Sequence, residues 1–215
     1  MDCMPGVVGA SRHGVVRTCG CSPISAPAIG RRTDGMAVRG FTTSYAPRPN
    51  QKWAGDITSI ATGEGWLYVA ILLDLYSRRS IGWAMEAQLT TALTRAALEM
   101  ALQQRGIPTG LLHHSDRGCQ YAATAYQQRL FQLRIQCSMS RPGNCWDHAV
   151  VDSCFATLKT ELLHGPQYLT RKTAKAEIFE YLETLYNRAR RHSTLGYLSP
   201  VEFERRGVHS EIGVH

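Results

Sequence analysis

Apolar residues change their spacing several times along this 215-residue chain, and each change predicts an element. KWAGDITSI, from Lys52, reads as a strand, and TGEG reads as a turn. WLYVAILLD is apolar almost without a break, as a strand buried on both faces is. RRSIGWAME, from Arg78, is a third strand, so short turns join three strands into an antiparallel meander. A helix follows, capped by Thr90 or Thr91, with Leu93, Ala96, Ala97 and Met100 on one face. Gly106 and Pro108 end it. GLLHHSD is a short fourth strand. Residues 123 to 133 form a helix with Tyr126, Leu130 and Leu133 in line, and RIQCSMS is a fifth strand. RPGN loops into a helix over residues 147 to 163. A last helix runs from about Thr170 to Asn187 and buries Ala174, Ile178, Leu182 and Leu185.

A meander followed by alternating helices and strands predicts an α/β fold, a mixed sheet with helices on both faces. That order fits a ribonuclease-H-like fold, which by itself does not fix a function. Residues 1 to 44 are different. They are rich in Gly, Ser, Pro and Ala, hold no period, and are expected to carry little fixed structure. The expected organisation is therefore a poorly structured leader over residues 1 to 44 and a core over residues 45 to 206. The core ends in a helix and a basic tail, and residues 207 to 215 are a terminal tail.

Composition adds a partner class. The chain is 44% hydrophobic and 19% charged, which is globular. A formal net charge of +7 favours an anionic partner, nucleic acid before an acidic membrane surface. The longest apolar run, WLYVAILL, is too short to span a bilayer. Seven cysteines, an odd number without a C-x-x-C pair, read as free thiols; Cys19 and Cys21 with His13 make a poor zinc site.

Three acids fall on core elements. Asp56 lies mid-strand, where a carboxylate is costly unless paired or bound to a cation. Asp116 ends the fourth strand in HHSDRGCQY, and ligand sites of α/β folds gather at such ends. Asp152 lies about one turn into the helix after the fifth strand. Each alone also reads as a turn-former or a solvated helix residue; together they suit divalent cations held by carboxylate oxygen. Asp74, about four residues past the partner of Asp56, reads as a strand terminator, and Asp147 as a helix cap. Glu161, nine residues past Asp152, points to the opposite helix face, whereas Lys159 shares the face of Asp152. Lys159 either meets a phosphate or is solvated. His113, His114 and Ser115 support the strand that leads to Asp116.

The stretches WAGDIT, LDLYSRR, IGWAM, HHSDRGCQY, SMSRPGNCWDHAV, FATLKTEL and YNRARRHSTLGYLSP together resemble one family. It is the bacterial insertion-sequence transposases with a retroviral-integrase-like core, and within it the product of the second reading frame. The resemblance covers residues 45 to 206. It implies a ribonuclease-H-like core that cuts and joins DNA with an Asp-Asp-Glu metal site. The first two acids correspond to Asp56 and Asp116; the third, after 35 intervening residues, falls on Asp152, where the family has Glu. His148 stands where the family has Asn, and Cys154 where it has a second aromatic. The implied cofactor is Mg²⁺, with Mn²⁺ as substitute, as two ions. The implied partners are DNA (transposon ends and target), further copies of the chain on DNA, and the first-reading-frame protein. The implied location is the bacterial cytoplasm, on the nucleoid.

Lys159, Arg141 and Asn144 are the candidate DNA contacts near the acids, the latter two on a loop that also reads as turn chemistry around Pro142 and Gly143. Arg188, Arg190, Arg191 and His192 form a basic cluster that either grips DNA backbone or ends a solvated helix with favourable dipole placement. The family's end-reading helix-turn-helix segments have no counterpart in residues 1 to 44, which read as a replaced or out-of-frame leader. Two other functions stay open. One is an inactive remnant that binds DNA or a full-length transposase. The other is a housekeeping ribonuclease of the same fold.

Overall fold

The computed structural model describes residues 46–116, 118–139, 149–162 and 168–212, with side chains to residue 207. The leader predicted over residues 1 to 44 lies outside them. The elements run β1 (Lys52–Thr62), β2 (Gly65–Asp74), β3 (Ser80–Glu86), α1 (Thr91–Arg105), β4 (Leu112–Ser115), α2 (Cys119–Ala122) and α3 (Thr124–Gln132). Then come β5 (Gln136–Met139), α4 (Ala149–Leu162), α5 (Arg171–Glu180), a π-helical segment (Tyr181–Ala189), a short 3₁₀ turn (Ser193–Leu195) and α6 (Pro200–Ile212).

The strands form one sheet in the order β3-β2-β1-β4-β5. β1, β2 and β3 pair antiparallel, as the meander predicts. β4 joins β1 in parallel, Gly55 opposite Ser115, and β5 joins β4 in parallel. β1 is thus the central strand.

Period-two alternation sorts each strand between two cores. Ala54, Ile60, Val69, Ile71 and Leu73 face α4 and α5, packing with Val151, Phe155, Leu158, Ile178 and Leu182. Trp53, Ala70, Leu72 and Ile81 face α1 and α3, packing with Leu93, Leu98, Tyr126 and Leu130. Gly82 allows α1 onto the sheet: a Cβ there would meet the Ala101 backbone nitrogen and side chain at 2.8 Å.

Several expectations are corrected. α1 buries Leu93, Thr94, Ala97, Leu98, Ala101 and Leu102, so Ala96 lies on the exposed side. The helix predicted over residues 123 to 133 is preceded by a separate short helix, α2. Asp74 pairs with Trp53 and Asp56 with Ile71, so Asp74 lies three residues past the partner of Asp56, not four. The odd offset turns it to the other face. It is fully buried and accepts backbone N–H groups from Asn50 and Tyr76 at 2.8 and 3.0 Å.

The last helix continues α5 in π geometry, where the Arg190 N–H reaches the Leu185 carbonyl. A wider turn moves the buried stripe to Ala174, Ile178, Leu182 and Tyr186, and Leu185 is left 43% exposed. α6 was not anticipated. Ser199 and Glu202 cap it reciprocally, the Ser199 N–H donating to Glu202 Oε2 at 3.2 Å and the Glu202 N–H to Ser199 Oγ at 3.3 Å.

Candidate active site

Asp56 sits on the central strand with its side chain on the α4 side, the same face as its neighbours Ala54 and Ile71. The Ile57 N–H donates to its Oδ1 at 2.7 Å. Burial first, then the negative charges of Asp116 and Asp152, push its carboxyl up to about 7; Ile57 and the Lys159 ammonium pull the other way. Acids from a strand, a strand end and a helix are thus electrostatic neighbours, with one lysine among them.

Asp116 follows the last residue of β4. Its Oδ1 accepts the Gly118 N–H at 3.0 Å. A Cβ on Gly118 would lie 2.9 and 3.0 Å from the two Asp116 carboxylate oxygens, so the residue after Arg117 needs to be small for the carboxylate to fold over the turn. Asp152 lies in the first turn of α4 and is exposed. Lys159, two turns on, is partly buried; burial lowers its pKa and the Asp56 charge opposes that.

Among the described residues, no three His, Cys, Asp or Glu side chains stand close enough together to hold a metal ion as they are placed. The acids are neighbours across an open site. Their donor chemistry, carboxylate oxygen with like charges left partly uncompensated on Asp56, fits a hard divalent cation that keeps several of its waters.

The neighbouring residues are structural. His113 and Ser115 are fully buried and His114 nearly so. His113 Nε2 shares a hydrogen bond with the Tyr126 hydroxyl at 2.9 Å, and burial holds its pKa down to about 3, so the ring is neutral. His114 Nδ1 lies 3.1 Å from Ser138 Oγ on β5. Glu161 turns away from Asp152, accepting from the Tyr181 hydroxyl at 2.8 Å and from Arg190 Nε at 3.0 Å. Cys119, Cys137 and Cys154 form no disulfide among the described residues.

The basic cluster divides. Arg190 is engaged by Glu161 and by Thr157 Oγ1. His192 stands edge-on to Tyr186, its pKa held down to about 4 by burial and by the charges of Arg190 and Arg78. Arg191 lines the same cavity as these residues, whereas Arg188 lines a different one with Arg79 and Arg205. Arg141, Asn144, Asp147 and His148 lie outside the described residues. Sequence reasoning passed over Arg78, whose only local signal is its place in the LYSRR turn, where it takes a positive φ of 62°.

Comparison with known proteins adds to this geometry. Two models of the integrase core domain match, over residues 46–145 and residues 152–207. The chain is 48% identical over 164 residues to transposase InsF for insertion sequence IS3A of Escherichia coli strain K12, covering 76% of this chain. It spans 57% of that relative's length. The fold matches a chain in the simian T-cell lymphotropic virus intasome structure with a TM-score of 0.59 at 18% identity, over 74% of this chain and 56% of that one. It matches the HTLV-2 integrase catalytic core domain, solved in complex with magnesium, with a TM-score of 0.56 at 16% identity. That match covers 74% of this chain and 98% of that one. At these identities the likeness is one of fold, the ribonuclease-H-like α/β class that the element order predicts.

Proposed function

The chain belongs to the integrase core domain family of insertion-sequence transposases, and on that premise we propose that it is a catalytic core for cutting and joining DNA strands in transposition. The observation that carries the reading is Asp56, a mid-strand acid whose charge is opposed by two others, Asp116 and Asp152, brought from distant elements. Acids set in this way are poor as isolated groups and useful as cation ligands.

In this reading Asp56, Asp116 and Asp152 hold divalent cations, Mg²⁺ or Mn²⁺ and two in number. When bound, such ions lower the pKa of water and neutralise charge on phosphoryl oxygens. The protein's own work is positioning. β1 is paired on both sides and fixes Asp56. The Gly118 amide fixes the Asp116 carboxylate. Lys159, on the Asp152 face of α4, orients a substrate phosphate by charge. Arg191 and its neighbours hold DNA further out. Residues 45 to 206 form this core; DNA ends, target DNA and further copies of the chain are its proposed partners, and the first-reading-frame protein is a further one.

Nicking of supercoiled plasmid by the full chain in Mg²⁺ or Mn²⁺ tests this. Native protein is expected to nick, and Asp56→Asn to abolish nicking. Asp152→Glu restores about 1.5 Å of reach and is expected to raise the rate, by up to about a hundredfold. Silence from both native protein and Asp152→Glu would sink the catalytic reading and favour an inactive DNA-binding remnant.

A further inference from the structure

Residues 192–198 form a small closed loop after the π-helical segment. His192 and Leu198 bridge across its mouth, the His192 N–H donating to the Leu198 carbonyl at 3.1 Å. The Tyr197 N–H returns to the His192 carbonyl at 2.9 Å, and the Gly196 N–H to the Ser193 carbonyl at 3.2 Å. Leu195 is buried, and so is Ser199, the cap of α6, so the loop is anchored on its inner side and at its exit.

Gly196 and Tyr197 both take left-handed backbone, φ 63° and 59°. Glycine adopts it freely. An aromatic residue is strained there, and asparagine is less so. The outcome is a phenol ring turned to solvent, 68% exposed. Strain and exposure both act against this side chain in the unbound protein. A ring held outward on a hydrogen-bonded backbone suits a partner that takes its face.

The surroundings say which partner. Tyr197 lines a cavity of about 300 Å³ with Arg191, Ser193 and Thr194, all exposed. The Arg191 charge also reaches Glu202. Ser153 and Thr157 of α4 wall the same cavity, about 100° and about 140° round the helix from Asp152, on the shoulder away from the acids. Among the described residues lining the cavity, no other large apolar side chain is exposed: Val150 and Tyr186 are buried. A protein partner takes an apolar patch, and here there is a single ring. A ring beside a cation is what an unpaired nucleotide meets in a single-strand groove, the ring taking the base and the cation the phosphate.

Building on the DNA reading above, we infer that Tyr197 is a stacking platform for one unpaired nucleobase near the end of a cut strand. Such a base has a face open to water, and the ring covers it. Arg191 holds the adjacent phosphate. The contact reads the flatness of a base and not its identity, so it favours an unpaired end over a paired one.

The test is binding of two fluorescent probes to the full chain, by anisotropy, in metal-free buffer across a salt series. One is a blunt duplex of about 20 base pairs, and the other is the same duplex with a short unpaired 3′ overhang. Tyr197→Asn and Tyr197→Phe are the variants. Asn suits the left-handed backbone, so that chain keeps its fold and is expected to melt at or above native protein. The Asn variant is expected to bind the overhang probe about tenfold more weakly, and the blunt probe within about twofold of native. The Phe variant keeps the ring and is expected to match native protein on both. The salt slope stays native in each variant, because no charge is removed. Native overhang affinity in the Asn variant would overturn the platform and leave the DNA reading standing. So would an equal loss on both probes, or a loss in the Phe variant, which would place the contact at the hydroxyl. Sedimentation checks a second copy as the occupant: a native dimer that the Asn variant loses would overturn the platform too. A native chain that binds neither probe at low salt would overturn both readings.

Discussion

At the scale of single residues, Asp56 and Asp152 differ in setting, one partly buried and the other exposed. Asp56 is partly buried on a rigid strand with its carboxyl pushed up to about 7 from an ordinary 3.8. Between those values the folded chain holds a proton that the unfolded chain has lost. Its contribution to stability is therefore full below about pH 4 and is lost as pH rises through 7. Asp56→Asn removes that loss. In metal-free buffer the variant is expected to melt several degrees above native protein at pH 8, on the order of 2–4 kcal/mol, and close to native at pH 4. Thermal denaturation at the two pH values reads this directly. An equal gain at both would mean that packing, not ionisation, sets the cost. Asp152 lies exposed in the first turn of α4. Its departure from Glu bears on reach across the site and leaves folding alone, which is why Asp152→Glu is tested by rate and not by melting.

At the scale of elements, α6 is tied to the sheet by one buried carboxylate. Glu204 accepts from Ser77 Oγ at 2.6 Å, from Arg79 at 2.9 Å and from Arg105, the last residue of α1, at 2.5 Å. Arg105 is only 12% exposed at its side chain. Glu204→Ala leaves that guanidinium without its partner and is expected to cost about 3 kcal/mol, measured by urea denaturation. Glu202→Ala, two residues earlier, loses only a cap and is expected to cost about 1 kcal/mol. The strands and α1 were legible in the sequence because alternation and the Gly106 and Pro108 stop are local signals. α6 was legible in principle: SPVE is a capping box with Pro at the first helical position, but it sat inside a run taken as a basic tail. The π-helical segment was not legible. A spacing of four from Ala174 to Leu182 fits either helix type, and only the tertiary seat of Tyr186 decides that the stripe passes to it and leaves Leu185 outside.

At the scale of the whole molecule, a formal charge of +7 becomes specific only through folding. Asp56 and Asp116 were readable because one interrupts a strand and the other follows a strand's end, and Asp152 from its place beyond 35 intervening residues after Asp116; folding makes the three electrostatic neighbours. The same folding buries or pairs many cations: Arg79 and Arg105 are held by Glu204, Arg129 by Glu99, and Arg190 by Glu161. A chain that used its net charge indiscriminately would show a steep salt dependence. One that meets duplex through the three expected contacts Lys159, Arg188 and Arg191 releases about three counterions' worth, a log–log slope of about −2.7. Affinity for duplex DNA in metal-free buffer is then expected to fall about fortyfold between 50 and 200 mM salt. A slope near −6 would mean that cations elsewhere on the surface share the backbone. A slope near zero would mean that the basic charge serves no phosphate at all, and the site at Asp56, Asp116 and Asp152 would then have to meet DNA by other contacts.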